Sequence, residues 1–192
     1  MLPAVLGPRG DGDREIAWHR PNLQGPETLA VTSPQFSESS PIPREHVSER
    51  IGGSNLSPGL VWAEPPGGST WLLVVVEDPD VPLGKPFVHC LALIDPARLD
   101  TPYSLEPGAL SSGDVARGVT VLRSTIGQGY QGPQPPKGRG PHRYVFQTFA
   151  LAGTPPADAS GAQLERAKPR DVLASISAPV LARGRLVGIY ER

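Results

Sequence analysis

Two aspartates separated by a single proline, Asp78-Pro79-Asp80, and two histidines, His89 and His142, are the residues of this chain best equipped for chemistry. Proline pushes the residue before it into extended or polyproline geometry, so Asp78 is held extended. If Asp80 follows suit, side chains two apart point the same way and two carboxylates stand together. An imidazole, with an unperturbed pKa near 6.5, donates one or two hydrogen bonds to an anion around neutral pH. A carboxylate about 4 Å from an imidazolium contributes roughly 4 kcal/mol at an effective dielectric of 20, before desolvation. That is enough to hold the ring protonated and oriented. The set suits an anion site in which one aspartate orients a histidine and the other meets a ligand proton, hydroxyl or ammonium. Affinity for an anion is then expected to fall above roughly pH 7, as the imidazoles lose charge.

Each residue also has a plainer reading. Asp-Pro-Asp is ordinary turn chemistry, and a lone histidine on an apolar strand is more often a satisfied core residue. A different chemistry is open to the same side chains: two aspartates and two histidines can bind a divalent metal or act as an acid/base pair in a hydrolase. Against it, no His-x-x-x-His spacing occurs, and no serine or cysteine is evidently paired with a base. Cys90 follows His89 directly and, by strand alternation, is expected on the opposite face.

The elements that must position these groups are strands. Trp71 to Val76 is a continuous apolar run, read as a strand buried on both faces and stopped by Asp78-Pro79-Asp80-Val81-Pro82. After a Gly84-Lys85-Pro86 turn, Phe87 to Ile94 is a second strand, on which a period of two puts Phe87, His89, Leu91 and Leu93 on one face. Pro141 to Leu151 is a third, with His142, Tyr144 and Phe146 on one face, and Val180 to Tyr190 a fourth. Shorter strands are expected at Thr28–Val31 and Val119–Leu122, and Asn55–Trp62 leads into another. Ser160–Ala167 and Arg170–Ser177 read as short helices, and Leu99–Leu110 has room for a helical turn. Gly127 to Gly140 is too rich in glycine and proline for helix or central strand. It lacks the Gly-Lys-Ser/Thr order of a phosphate-binding P-loop. Arg143 alternates away from His142 and Tyr144 and is read as a structural ion-pair donor. No helical pattern separates the strands, so the chain is mainly β, an antiparallel sandwich with a few short peripheral helices.

Composition narrows the classes. With 192 residues, one domain is expected, residues 28–192, preceded by a loosely held extension over 1–27 without periodicity. The 24 prolines and 22 glycines punctuate apolar runs, as suits short strands joined by many turns. A net charge of −1 with no basic run speaks against nucleic acid. The single cysteine excludes an intramolecular disulfide framework. No apolar segment approaches the roughly 18 to 20 residues that span a bilayer, and Met1–Glu15 lacks the basic start and apolar core of a secretion signal. A cytoplasmic protein is expected.

Four elements in order then carry a resemblance: Asp-Pro-Asp-x-Pro at 78–82, His89, Gly-x-Gly-Tyr-x-Gly-Pro-x-Pro-Pro at 127–136, and His142-Arg143-Tyr144-x-Phe146. The chain resembles the phosphatidylethanolamine-binding proteins, also called Raf kinase inhibitor-like proteins. Thr32-Ser33-Pro34-x-Phe36, Asn55-Leu56-Ser57-Pro58-x-Leu60-x-Trp62 and the closing Gly188-x-Tyr190-x-Arg192 agree with the bacterial branch. The resemblance spans about Leu29 to Arg192. It implies a β-sandwich that binds small anionic, phosphate-like or phospholipid-headgroup ligands without catalysis, cofactor or metal. The implied ligand-binding residues are Asp78, Asp80, His89, Pro135, Pro136, His142 and Tyr144. It also implies modulation of a kinase or a protease, and bacterial relatives point to a homodimer. This chain departs from the family at Cys90, where a large aromatic is usual, at Gln134, where a cysteine is common, and at Pro179, where a histidine is usual.

Overall fold

The structure, a computed structural model, describes residues 11–112, 116–154 and 162–192. The strands are β1 (Val31–Thr32), β2 (Ser40–Pro41), β3 (Leu60–Trp62), β4 (Ser69–Asp78), β5 (Phe87–Ile94), β6 (Ser104–Leu105), β7 (Val119–Val121), β8 (His142–Ala152) and β9 (Val180–Tyr190). Two short helices, α1 (Ala162–Arg166) and α2 (Pro169–Ser175), precede β9, and Pro169 opens α2 where its missing amide hydrogen costs nothing. Residues 160 and 161, expected in the first helix, lie outside the described residues.

A six-stranded sheet runs β2-β9-β8-β4-β5-β7, and a three-stranded sheet β1-β3-β6 packs across it. Neighbours are antiparallel except β2, which runs parallel to β9. The mainly β sandwich expected from the sequence is therefore the architecture. Among the described residues no helix is long and apolar enough to cross a membrane. The Leu99–Leu110 segment differs from expectation: the helical turn falls earlier, at Pro96–Arg98, and Ser104–Leu105 joins the small sheet.

β4 lies between β8 and β5 and is covered on both faces, which explains its uninterrupted valine run. Leu72, Val74 and Val76 share the inter-sheet core with Tyr144, Phe146, Leu60 and Trp62. Trp71, Leu73 and Val75 belong to a second core on the outer face, with Phe149, Leu151 and the α2 residues Val172 and Leu173.

The rest of that outer core comes from the N-terminal segment. The loosely held extension expected over 1–27 is corrected for the described residues: Ile16, Ala17, Trp18 and Leu23 are buried against the outer face. The sequence hid this because the anchors are polar residues inside apolar strands. Glu77 Oε2 accepts the Ala17 amide at 2.6 Å, and Gln147 Oε1 accepts the Trp18 amide at 2.6 Å. Both side chains are fully buried, and each is tolerated there because a backbone donor comes to meet it. Arg183 adds a hydrogen bond from Nη1 to the Trp18 carbonyl at 2.7 Å, with its guanidinium 4.0 Å above the indole ring.

Candidate functional site

β5 enters the sheet with an irregularity that decides where its histidine points. Val76 pairs with Cys90 and Glu77 with Val88, so His89 has no partner on β4 and is the extra residue of a β-bulge. Alternation breaks there. Val88, Leu91 and Leu93 fall in the outer core, whereas Cys90, Ala92 and Ile94 face the inter-sheet core. The expected sharing of one face by Phe87, His89, Leu91 and Leu93 is thus corrected: only Phe87 and His89 stay together, with ring centroids 4.8 Å apart. Cys90, expected to point away from His89, lies on the inter-sheet side as well. A strict period of two cannot survive an inserted residue.

The glycine-rich segment then runs alongside the bulge. The Gln131 amide donates to the His89 carbonyl at 2.8 Å, and the Gln131 carbonyl accepts from His89 Nδ1 at 2.6 Å. The acceptor is a carbonyl, so Nδ1 carries the hydrogen and Nε2 is the ring's free nitrogen. The loop is clamped from the other side by the 44–55 segment: Gly132 donates to Asn55 Oδ1 at 2.7 Å, and Tyr130 donates to the His46 carbonyl at 2.9 Å. Gly132 sits so close that a β-carbon there would lie 2.5 Å from the His46 carbonyl oxygen. The glycine is a packing requirement.

On β8, His142 Nδ1 donates to Asp78 Oδ2 at 2.7 Å, and both residues are buried. Asp78 Oδ1 accepts the Asp80 amide at 2.8 Å, the turn that Asp-Pro-Asp is suited to make. The two aspartates then part. Asp80 is gripped by Arg143, through Nε at 3.0 Å, Nη2 at 2.7 Å and the backbone amide at 2.8 Å. Arg143 is the structural ion-pair donor expected. A bidentate guanidinium fixes the carboxylate plane and turns Asp80 away from Asp78.

A cavity of about 340 Å³ opens between these elements. Of the seven residues expected in a ligand site, Asp78, His89, Pro135, Pro136, His142 and Tyr144 line it together. Asp80 is not part of its wall, because Arg143 holds it on the other side of the turn. The sequence reading missed Arg50, Gln131, Leu83 and Ile126, which also line the cavity. Leu83 and Ile126 are 70% and 53% exposed, so the mouth carries an apolar collar. Its signal was faint: single apolar residues in loops, unremarked because scattered exposed ones are normal.

The electrostatics separate the two histidines. The Asp78 hydrogen bond raises the pKa of His142, with burial opposing and the charges of Asp78 and Asp80 adding to the rise. Burial lowers that of His89, against the opposing pull of Asp78 and the Gln131 carbonyl. The two rings are therefore pushed in opposite directions, His142 towards the imidazolium and His89 towards the neutral imidazole, where two charged rings were expected. Burial, then Asp78, pushes the Tyr144 hydroxyl far above its ordinary value, so it stays a neutral donor. That hydroxyl is buried and has no hydrogen-bond partner, although the Gln134 backbone lies near enough to offset part of the rise in its pKa. His142 and Asp78 neutralise each other. What remains on the wall is a pair of donors, His142 Nε2 and the Tyr144 hydroxyl, with His89 Nε2 as acceptor.

Comparison with known proteins places the chain in a family. The family pattern described as phosphatidylethanolamine-binding protein matches residues 32–191. Two relatives from Mycobacterium tuberculosis are similar over most of the chain. UPF0098 protein Rv1910c is 32% identical over 169 residues, which is 86% of this chain and 71% of that protein. The protein called putative lipoprotein LppC is 34% identical over 170 residues, 86% of this chain and 73% of that one. The crystal structure of Escherichia coli YbcL, described as a new member of the mammalian PEBP family, superposes with a TM-score of 0.72. It is 28% identical, with 85% of this chain and 98% of YbcL covered. The bulged strand, the glycine-rich loop and the Asp78–His142 pair all lie within the matched span, and the chain belongs to the phosphatidylethanolamine-binding protein family, in its bacterial branch.

Proposed function

We propose that the chain is a non-catalytic binding protein whose cavity takes a singly protonated phosphate monoester or a chemically similar anion. The observation that carries this is the unpartnered buried hydroxyl of Tyr144 on the same wall as the free Nε2 atoms of His89 and His142. A buried hydroxyl without a partner costs about 1–3 kcal/mol, which a ligand acceptor would restore. His142 and Tyr144 donate to phosphoryl oxygens, and neutral His89 accepts the P–O–H hydrogen. The ligand proton thus meets His89, the part the sequence assigned to an aspartate, because Asp80 is occupied by Arg143. Arg50 at the mouth adds a positive charge, and the Leu83–Ile126 collar suits an apolar group attached beyond the phosphate, as in a phospholipid headgroup.

The test is a histidine-detected NMR titration with inorganic phosphate, phosphoethanolamine and a short-chain phosphatidylethanolamine. Both His89 and His142 are expected to shift with one ligand, and the shifts to vanish in His142→Ala. Silence at both rings would overturn the proposal. Tighter binding of the acylated ligand would assign the collar its role.

The metal-dependent or acid/base hydrolase gains no support from the site. Among the described residues no three His, Cys, Asp or Glu side chains are placed to share a metal ion. A homodimer and modulation of a kinase or protease extend the same proposal and rest on resemblance; cytoplasmic residence rests on the sequence reading alone and, with the relative LppC called a putative lipoprotein, is tested by fractionation.

A further inference from the structure

The N-terminal segment lies outside the span that matches the family, residues 32–191, yet it reaches the back of the cavity wall. Gly12 packs on the Asp-Pro-Asp turn so closely that a β-carbon there would sit 2.3 Å from the Pro79 carbonyl oxygen. Beside it, Asp13 Oδ1 accepts from Arg143 Nη1 at 2.8 Å. The other edge of the same guanidinium grips Asp80. Asp80 gives its amide to Asp78, and Asp78 holds His142. An unbroken line of hydrogen bonds connects the segment to an imidazole of the cavity, although Asp13 itself is not on the cavity wall.

We infer that Asp13 is a positioning residue for the anion site, setting the orientation of His142 through Arg143, Asp80 and Asp78. The inference rests on the proposed function only for its effect on ligand binding. A guanidinium held by carboxylates on two edges has one orientation; with Asp80 alone it can swing about that single partner, and the turn loosens with it. The segment is itself fixed nearby, since the Ala17 amide is bound by Glu77, the residue before Asp78. Asp13 is thus anchored to the end of β4 from outside while the cavity uses the inner face of the same strand end.

Loss of the Asp13 charge acts on His142 in one direction. Removing an anion from beside Arg143 makes the surroundings of His142 more positive, and loosening Asp80 weakens the hold on Asp78. Both disfavour the imidazolium. The other ionisable groups around the ring are Asp78, Asp80, Arg143, His89, Tyr144 and Arg50, and the substitution leaves each of them in the chain, so it reaches His142 only through Arg143, Asp80 and Asp78.

The experiment uses the full chain carrying Asp13→Asn or Asp13→Glu. It follows the His142 titration by NMR, inorganic phosphate affinity at pH 7 by calorimetry, and thermal unfolding. Asp13 is partly exposed, with 32% of its side chain accessible, so both variants are expected to fold. Asp13→Asn should lower the His142 midpoint and weaken phosphate by up to about fivefold, the scale of a partly exposed ion pair. Asp13→Glu should restore both. A purely structural contact would change the unfolding temperature and leave the His142 midpoint in place, and that result overturns the inference. Should His142 shift in Asp13→Asn while phosphate binds neither protein, the positioning role stands and the proposed ligand falls. Should phosphate bind both equally with an unmoved His142, the ligand stands and the positioning role falls.

Discussion

Replacing Asp78 by asparagine tests the centre of the site. The amide keeps the size of the side chain and an oxygen able to accept from His142 Nδ1, but its NH2 then faces the Asp80 amide that Asp78 Oδ1 accepts, so the substitution removes the charge and adds a pH-independent cost at the turn. The bond is 2.7 Å long between two buried groups. Charge centres about 4 Å apart interact by roughly 4 kcal/mol at an effective dielectric of 20, and desolvation takes back a large share. A hydrogen bond between charged groups nets about 1.5–3 kcal/mol. Asp78→Asn should therefore cost about that much stability where His142 is charged, and weaken phosphate about tenfold or more at pH 7. The pH dependence has a definite sign. The folded pKa of His142 is raised, so its contribution is fully present below the unfolded value near 6.5 and is lost as pH rises through the raised folded value. In urea unfolding from pH 6 to 9, the gap between wild type and variant should be widest at the acidic end and narrow towards the alkaline end, where only the cost at the Asp80 amide remains. A gap independent of pH, together with undiminished phosphate affinity, would refute an imidazolium held by Asp78.

Two more substitutions or modifications probe the surroundings. Glu77→Leu leaves the Ala17 amide and Gln147 Nε2 without their acceptor and Arg170 without its buried counter-charge, so it should destabilise the fold by roughly 3 kcal/mol or more. A loss under about 1 kcal/mol in urea denaturation would show that the N-terminal segment is not held by Glu77. Cys90 is fully buried, and burial pushes its thiol up to about 12. The native protein should resist a thiol reagent at pH 8 and react only on unfolding; rapid labelling would mean that β5 opens in the native state.

The sequence by itself determined what depends on neighbours in the chain. The valine run of β4 could only be a strand buried on both faces, Pro79 and Pro82 had to end it, and the Gly127–Gly140 segment could only be loop. The ordered motifs carried the family, and most of the cavity wall came with it: Asp78, His89, Pro135, Pro136, His142 and Tyr144. What remained depended on contacts between segments far apart in sequence, which local spacing does not encode. Asp78 and Asp80 look alike two positions apart, and only the register that sets Arg143 against Asp80 and His142 against Asp78 separates them. One unpaired residue in β5 aimed His89 and Cys90, because a bulge is a mismatch between two strands and has no signature in one. The charges of the two histidines parted for the same reason: a carboxylate reaches His142 from another strand, while His89 meets only a backbone carbonyl under full burial. The N-terminal segment read as loose because its apolar residues have no period, and it became structure only when Glu77 and Gln147 supplied acceptors across the sheet.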